Sequence, residues 1–183
     1  MLDAENTPAA RRRALIIWFT IAVIVIIADQ WTKQLALGYF QNGGTVQVTS
    51  FLNLVLAFNT GAAWSMFAGG GGWQQVFFVA IAIAATAFII YMLINHWHER
   101  LFAFGLAMIM GGALGNLWDR LTLGKVVDFI AVHSFMPFQH WTTAWLDPFP
   151  VFNIADSAIT CGAVALIIDS FRPSRLRAAR VAK

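Results

Sequence analysis

The sequence predicts an all-α membrane protein, a four-transmembrane-helix bundle carrying a small extracytoplasmic β-sheet. Three observations support this. Apolar residues make up 59% of the 183-residue chain and charged residues only 11%, against about 25% charged in a soluble domain. Four apolar stretches, with their flanks, each reach the roughly 20 residues that cross a bilayer as a helix. Basic residues are distributed unevenly among the connections between those stretches, which is the pattern of a polytopic membrane protein.

The first span is expected at about 14–37, around "ALIIWFTIAVIVIIA". Basic residues before an apolar core also describe a secretory signal. Here, however, the run continues into Asp29, Gln30 and Trp31 without an A-x-A site, which favours an uncleaved span. Residues 39–73 form an outer segment containing "GTVQVTSFLNLVLAFNTGAAWSMF". Its β-branched and aromatic residues favour extended structure, and the run Leu54–Phe58 is too short to span, so two or three short strands are expected. The glycines at 69–72 read as a flexible joint. A second span follows at about 74–95, then a short inner turn from Asn95 to Arg100.

The third span is expected at about 101–120. Ala103, Ala107, Gly111 and Gly115 recur every four residues along it, a stripe that lets helices approach closely. Residues 121–150 read as a second outer loop. Its Phe135, Phe138, Trp141, Trp145 and Phe149 suit the headgroup level, and Pro148 and Pro150 stop the chain before the next helix. The fourth span is expected at about 151–171, with its own small-residue stripe of Ala155, Ala158, Gly162 and Ala165. Cys161, the single cysteine, reads as a packing residue.

Arg11, Arg12 and Arg13 precede the first span, Arg100 lies in the inner turn, and Arg172, Arg175, Arg177, Arg180 and Lys183 follow the fourth. The outer segment at 38–75 has neither Lys nor Arg, and 121–150 has only Lys125. The positive-inside rule therefore places both termini in the cytoplasm. The formal charge of +3 is a topology signal, and no nucleic-acid partner is expected.

Polar residues within the apolar runs carry the functional argument. Asp29 is 16 residues beyond Arg13; Asn116 and Arg120 are 16 and 20 beyond Arg100; Asp156 is 16 before Arg172 on a helix running back inward. Sixteen residues are roughly 24 Å of helix. All therefore reach one level near the outer surface, with Asp128 just past the third span. Each has a structural explanation taken singly. Asp29 and Lys33 can pair at i,i+4, Arg120 can snorkel, Asn153 can cap the fourth helix with Asp156 in its first turn, and Asp119 can pair with Arg120 or Lys125. Taken together they are harder to dismiss, because a carboxylate inside a span is costly and usually marks function. Asn59, in "FNTGAAW", is a candidate to join them. The sequence contains no H-x-x-x-H or H-E-x-x-H pattern, so no zinc site is expected. Two close carboxylates can share a proton and hydrolyse an amide. The same groups can relay protons or ions in a transporter, and periodicity does not separate the two.

Four blocks in order, "DQWTK" at 29–33, "FNTGAAWSMF" at 58–67, "GNLWDRLTLGKVVDFI" at 115–130 and "FNIADSAI" at 152–159, give the chain a specific resemblance. It resembles bacterial lipoprotein signal peptidase, or signal peptidase II, over roughly residues 12–172. The resemblance implies an intramembrane aspartic endopeptidase of the inner membrane, without cofactor and expected to act as a monomer among membrane lipids. Such an enzyme removes the signal peptide of diacylglyceryl-modified prolipoproteins just before the lipidated cysteine. It implies Asp128 and Asp156 as the catalytic pair, and Asp29, Lys33, Asn59, Asn116, Arg120 and Asn153 as supporting or substrate-binding residues. The outer segment then corresponds to a periplasmic β-cradle. Trp118 is bulkier than the aliphatic residue expected there, and should face lipid or packing.

Overall fold

The computed structural model describes residues 7–60, 73–132 and 150–172. In chain order the elements are α1 (Pro8–Tyr39), β1 (Thr45–Gln47), β2 (Leu52–Asn59), α2 (Trp73–Asn95), α3 (Arg100–Leu123), β3 (Val126–Val132) and α4 (Ile154–Ser170). The expected headgroup aromatics between 135 and 149 and the glycine joint at 69–72 lie outside the described residues.

Among the described residues, three helices are long and apolar enough to cross a membrane by length and composition: Pro8–Tyr39, Gln75–Asn95 and Arg100–Leu123. The fourth, α4, has 17 residues, about 25 Å at 1.5 Å per residue and the short end of the spanning range. The helices turn large apolar side chains outward. Ile24, Ile27, Phe88 and Ile167 are each more than half exposed, a belt that water would penalise and lipid accommodates.

Helix α1 starts six residues before the apolar run that announced it. Thr7 caps it by accepting from the Ala10 N–H at 3.1 Å, and Pro8 occupies its first turn, where a missing N–H costs nothing. The apolar run marks only the part in lipid; the helix continues past it toward water.

Glycines let the helices touch. A Cβ on Gly111 would lie 2.7 Å from the Val25 side chain on α1 and 2.8 Å from the Ala22 carbonyl oxygen. A Cβ on Gly105 would lie 2.8 Å from the Gly162 carbonyl oxygen on α4, and Gly112 packs still more tightly on the Ala155 carbonyl. Helix α3 is therefore central, with small faces toward both α1 and α4. Toward α2 an apolar cluster is built from Leu93, Ala103, Leu106 and Met110.

The sheet has the order β1-β2-β3 and is antiparallel throughout. It packs on the far end of α1 through Ala36, Phe40 and Phe129, with Val46, Leu54 and Leu56 around them. Strand β3 comes from the connection expected to be a loop. It forms because Gly124, at φ 71°, closes α3 in the left-handed conformation and turns the chain sharply. "VVDFIAV" then pairs with β2 as the sheet's other edge partner. At its far side Ile130 bridges to Phe152, whose carbonyl accepts from the Ile130 N–H at 2.8 Å. That bridge delays α4 to Ile154 and brings its start against β3.

Candidate active site

The polar residues of four elements meet where the C-terminal ends of α1 and α3 and the start of α4 contact β3. The strand register places Asp128 there. Between Leu54 and Ala57 the β2–β3 register shifts, so that Ala57 lies opposite Asp128 and Asn59 opposite Val126. Without this bulge Leu56 would face Asp128, and Phe58 would share its face. With it, a small residue lies across from the carboxylate and Asn59 lies diagonally on the same face. Asn59 hydrogen-bonds to the Asp128 carboxylate.

Asn153 and Asp156 are set by the helix start. Asn153 caps α4, accepting from the Asp156 N–H at 2.9 Å, while the Asp156 carboxylate accepts from the Asn153 N–H at 3.3 Å. This is a reciprocal capping box. The capping and site roles thus coincide, because the same Asn153 amide nitrogen donates to Asp128 Oδ1 at 2.7 Å and to the Val127 carbonyl at 3.2 Å. From α3, Asn116 Nδ2 donates to Asp156 Oδ1 at 2.8 Å, and Asn116 Oδ1 accepts from Asn153 Nδ2 at 3.1 Å. The two aspartates are therefore joined through two amides, in the order Asp128, Asn153, Asn116, Asp156.

Asp128 is 2% exposed, and Asp156 is half-buried. Burial pushes the Asp128 carboxyl up from 3.8 to about 7, helped by the Asp156 charge and opposed by hydrogen bonds from Asn59 and Asn153 and by the Lys33 charge. Arg120 sits over the Phe78 ring, 5.2 Å from its centroid, with Asp156, Asp128 and Asp119 in electrostatic reach of its guanidinium. It pairs with an aromatic face as well as with the cluster, so snorkelling alone does not describe it.

Behind the pair, Lys33 is 1% exposed. Its ammonium contacts Asp29 Oδ2 at 2.8 Å, Asp119 Oδ2 at 2.9 Å and Asn116 Oδ1 at 2.9 Å. The expected Asp29–Lys33 pair is present. Asp119 differs from expectation: its partner is Lys33 rather than Arg120 or Lys125, because its carboxylate points inward and also accepts from the Val127 N–H at 3.0 Å. Lys125 instead lies over the Phe58 ring, 3.5 Å from its centroid. Gln30 was missed. Its amide donates to Asp119 Oδ1 at 2.8 Å and to the Gly115 carbonyl at 3.1 Å; its position next to Asp29 was the available signal. Gly115 is required here, since a Cβ would sit 2.6 Å from Asp29 Oδ2. Trp118 is 58% exposed and faces outward. Among the described residues, no group of three His, Cys, Asp or Glu side chains is placed to hold a metal ion.

Comparison with known proteins gives a consistent result. The family model described as signal peptidase (SPase) II matches residues 21–172. A lipoprotein signal peptidase of Burkholderia thailandensis is 48% identical over 167 residues, covering 91% of this chain and 93% of that protein. One from Ralstonia nicotianae is 47% identical over 158 residues, covering 86% of each. Two solved structures, both of a bacterial membrane enzyme obtained by the in meso method, share the fold. One has a TM-score of 0.70 and 34% identity, covering 83% of this chain and 85% of its own. The other has a TM-score of 0.69 and 33% identity, covering 85% of this chain and 93% of its own.

Proposed function

The chain belongs to the signal peptidase (SPase) II family, and from that premise we propose that Asp128 and Asp156 are the carboxylates with which it cuts diacylglyceryl-modified prolipoproteins just before the lipidated cysteine. Its class is that of an intramembrane aspartic peptidase, a multi-pass protein of the bacterial inner membrane. The observation that carries the residue assignment is the amide-linked pair. Two carboxylates from different elements are held at one end of the bundle, and one of them is pushed up to about 7. With both termini cytoplasmic, as the basic residues favour, that end faces the periplasm.

The chemistry follows from the difference between the two environments. Asp128, with its carboxyl pushed up to about 7, still carries the proton in part at neutral pH and donates it to the scissile carbonyl oxygen. Asp156, half open to the surface, takes a proton from water as that water attacks the carbonyl carbon. The tetrahedral intermediate collapses when the departing amine receives the proton held on Asp156 and a hydroxyl of the intermediate returns its proton to Asp128, restoring both carboxyls to their starting states. One water is consumed, and an acid and an amine are released. The substrate must be extended at the cut, because a helix ties its carbonyls into internal bonds. Its lipid chains can remain in the bilayer, since the pair lies near the end of the spans. Asn59 and Arg120, at the rim, are suited to hold substrate backbone and the polar part of the lipid.

The test is turnover of a diacylglyceryl-modified precursor by the purified full chain in lipid. Asp128→Asn and Asp156→Asn should each abolish cleavage, and the double variant should be little worse than either. Near-normal cleavage by folded Asp128→Asn would end the two-aspartate assignment.

A further inference from the structure

We propose that Lys33 is a positioning residue for the reaction: it fixes the side-chain amide of Asn116 in the one orientation that makes Asn116 a hydrogen-bond donor to Asp156. This rests on the reading of Asp156 as a catalytic carboxylate.

An ammonium has three donors and no acceptor. All three of Lys33 are used, toward Asp29 Oδ2, Asp119 Oδ2 and Asn116 Oδ1. Since Lys33 can only donate, the Asn116 atom facing it must be the oxygen. That oxygen also faces Asn153 Nδ2 at 3.1 Å, but the two hydrogens of that amide are shared with Asp128 Oδ1 at 2.7 Å and the Val127 carbonyl at 3.2 Å, so Lys33 supplies its one undivided donor. Asn153 cannot reverse, because its own oxygen accepts the Asp156 N–H and its nitrogen meets Asp128 Oδ1 and the Val127 carbonyl. A flipped Asn116 would set its NH2 against the ammonium and against the Asn153 NH2, two donor–donor contacts in a buried site. The remaining orientation sends Asn116 Nδ2 to Asp156 Oδ1 at 2.8 Å.

The ammonium itself is held on both sides. Asp29 is anchored by the Ala155 N–H at 2.9 Å, one residue before Asp156 in α4. Asp119 is anchored by the Val127 N–H at 3.0 Å, one residue before Asp128 in β3. Gln30 bridges Asp29 Oδ2 and Asp119 Oδ1, at 3.2 and 2.8 Å. The cage therefore spans the two backbone segments that carry the aspartates, and its third contact reaches Asp156 through Asn116.

The test is a mutant cycle on the full chain in lipid micelles. Lys33→Met is combined with Asp29→Asn and Asp119→Asn, so that no buried charge is left unpaired. Cleavage of a diacylglyceryl-modified precursor is followed as kcat and KM. The expected result is a fall in kcat of about tenfold to a hundredfold, the size of one hydrogen bond to a charged group, with KM within about twofold. In an Asn116→Ser background the same triple change should cost less than about twofold more, because its route is already removed. Equal losses in both backgrounds would overturn the proposal. A second readout needs no catalysis. With 15N-labelled asparagine, assigned by difference against Asn116→Ser, the Asn116 side-chain protons should be well separated and slow to exchange, and should lose both properties in the triple variant. No change would overturn the proposal. If the triple variant does not fold, Asp156→Asn decides: the bonded Asn116 proton must shift when the carboxylate is lost, and an unmoved resonance refutes the link. A wild type inactive on any lipid-modified precursor would defeat the proposed function yet leave this spectroscopic test standing.

Discussion

Asp128→Asn should make the protein more stable, relative to wild type, as pH rises. The carboxyl at 128 has its ordinary value of 3.8 in the unfolded chain and about 7 in the folded one. A raised folded value means the folded state binds the proton more tightly. The contribution is fully present below about 4 and is lost as pH rises through about 7. The two values differ by roughly three pH units, so at 1.36 kcal/mol per unit the whole effect is on the order of 4 kcal/mol. About two of those units lie between pH 5 and 7, or about 3 kcal/mol. For a chain of this size that corresponds to a Tm change of roughly 5–10 °C. Asparagine keeps the shape and can still accept from Asn153, but it does not titrate. The assay is thermal unfolding in micelles from pH 5 to 8, followed by tryptophan fluorescence for both proteins. The difference between them isolates residue 128 from every other titrating group. It should move in favour of the variant up to about pH 7 and then level off. A flat difference, or one moving in favour of wild type, would show that Asp128 is ionised when folded and would remove the acid from the mechanism.

Other consequences can be checked separately. Cleavage should decline as pH rises through about 7, because Asp128 then loses the proton it donates; a rate still rising at pH 8 would contradict this. Gly112→Val should destabilise by about 1–3 kcal/mol through overpacking against the Ala155 carbonyl, seen as a lower Tm. Cys161→Ala, at an exposed site, should leave stability and cleavage unchanged. Reporter fusions at Gly43 should read outside and at His98 inside, and a reversal of either would invert the proposed topology.

The parts of this structure that were legible in the sequence are those governed by local pattern. Spans were announced by apolar length, close helix contact by the glycines and alanines of α3 and α4, and the depth of the polar residues by counting from the basic ends. What was not legible depends on contacts distant in sequence. Nothing local in "KVVDFI" marks it as the partner of β2 rather than as loop, since its pairing needs a strand nearly seventy residues earlier. The bulge that turns Asn59 toward Asp128 is likewise a property of the pair of strands. Asp119 was read against its chain neighbours Arg120 and Lys125, while its actual partner lies on another helix. Gln30 had no charge to draw notice. Inside a membrane protein, a polar residue finds its partner across helices, and proximity along the chain is a weak guide to which one.

The same reasoning bears on the transporter alternative that the sequence left open. A relay of protons or ions needs polar steps through the full depth of the bundle. Below the Lys33 cage, the interior between α1, α2 and α3 is Ala22, Ile89, Leu93, Leu106 and Met110. The buried carboxylate at the opposite end, Asp169, lies 3.9 Å from Arg172, one turn further along the chain. Among the described residues, the bonded polar cluster lies at one end, and the apolar layer separates it from Asp169 and Arg172. Lys33 ties Asp29, Asp119 and Asn116 together, Asn116 and Asn153 link them to the aspartate pair, and Asp156 is the member left half open. Rigid order of this kind hinders an ion that must bind and leave. It suits a hydrolase, whose pair must hold its geometry while an extended substrate and a water enter from the same side.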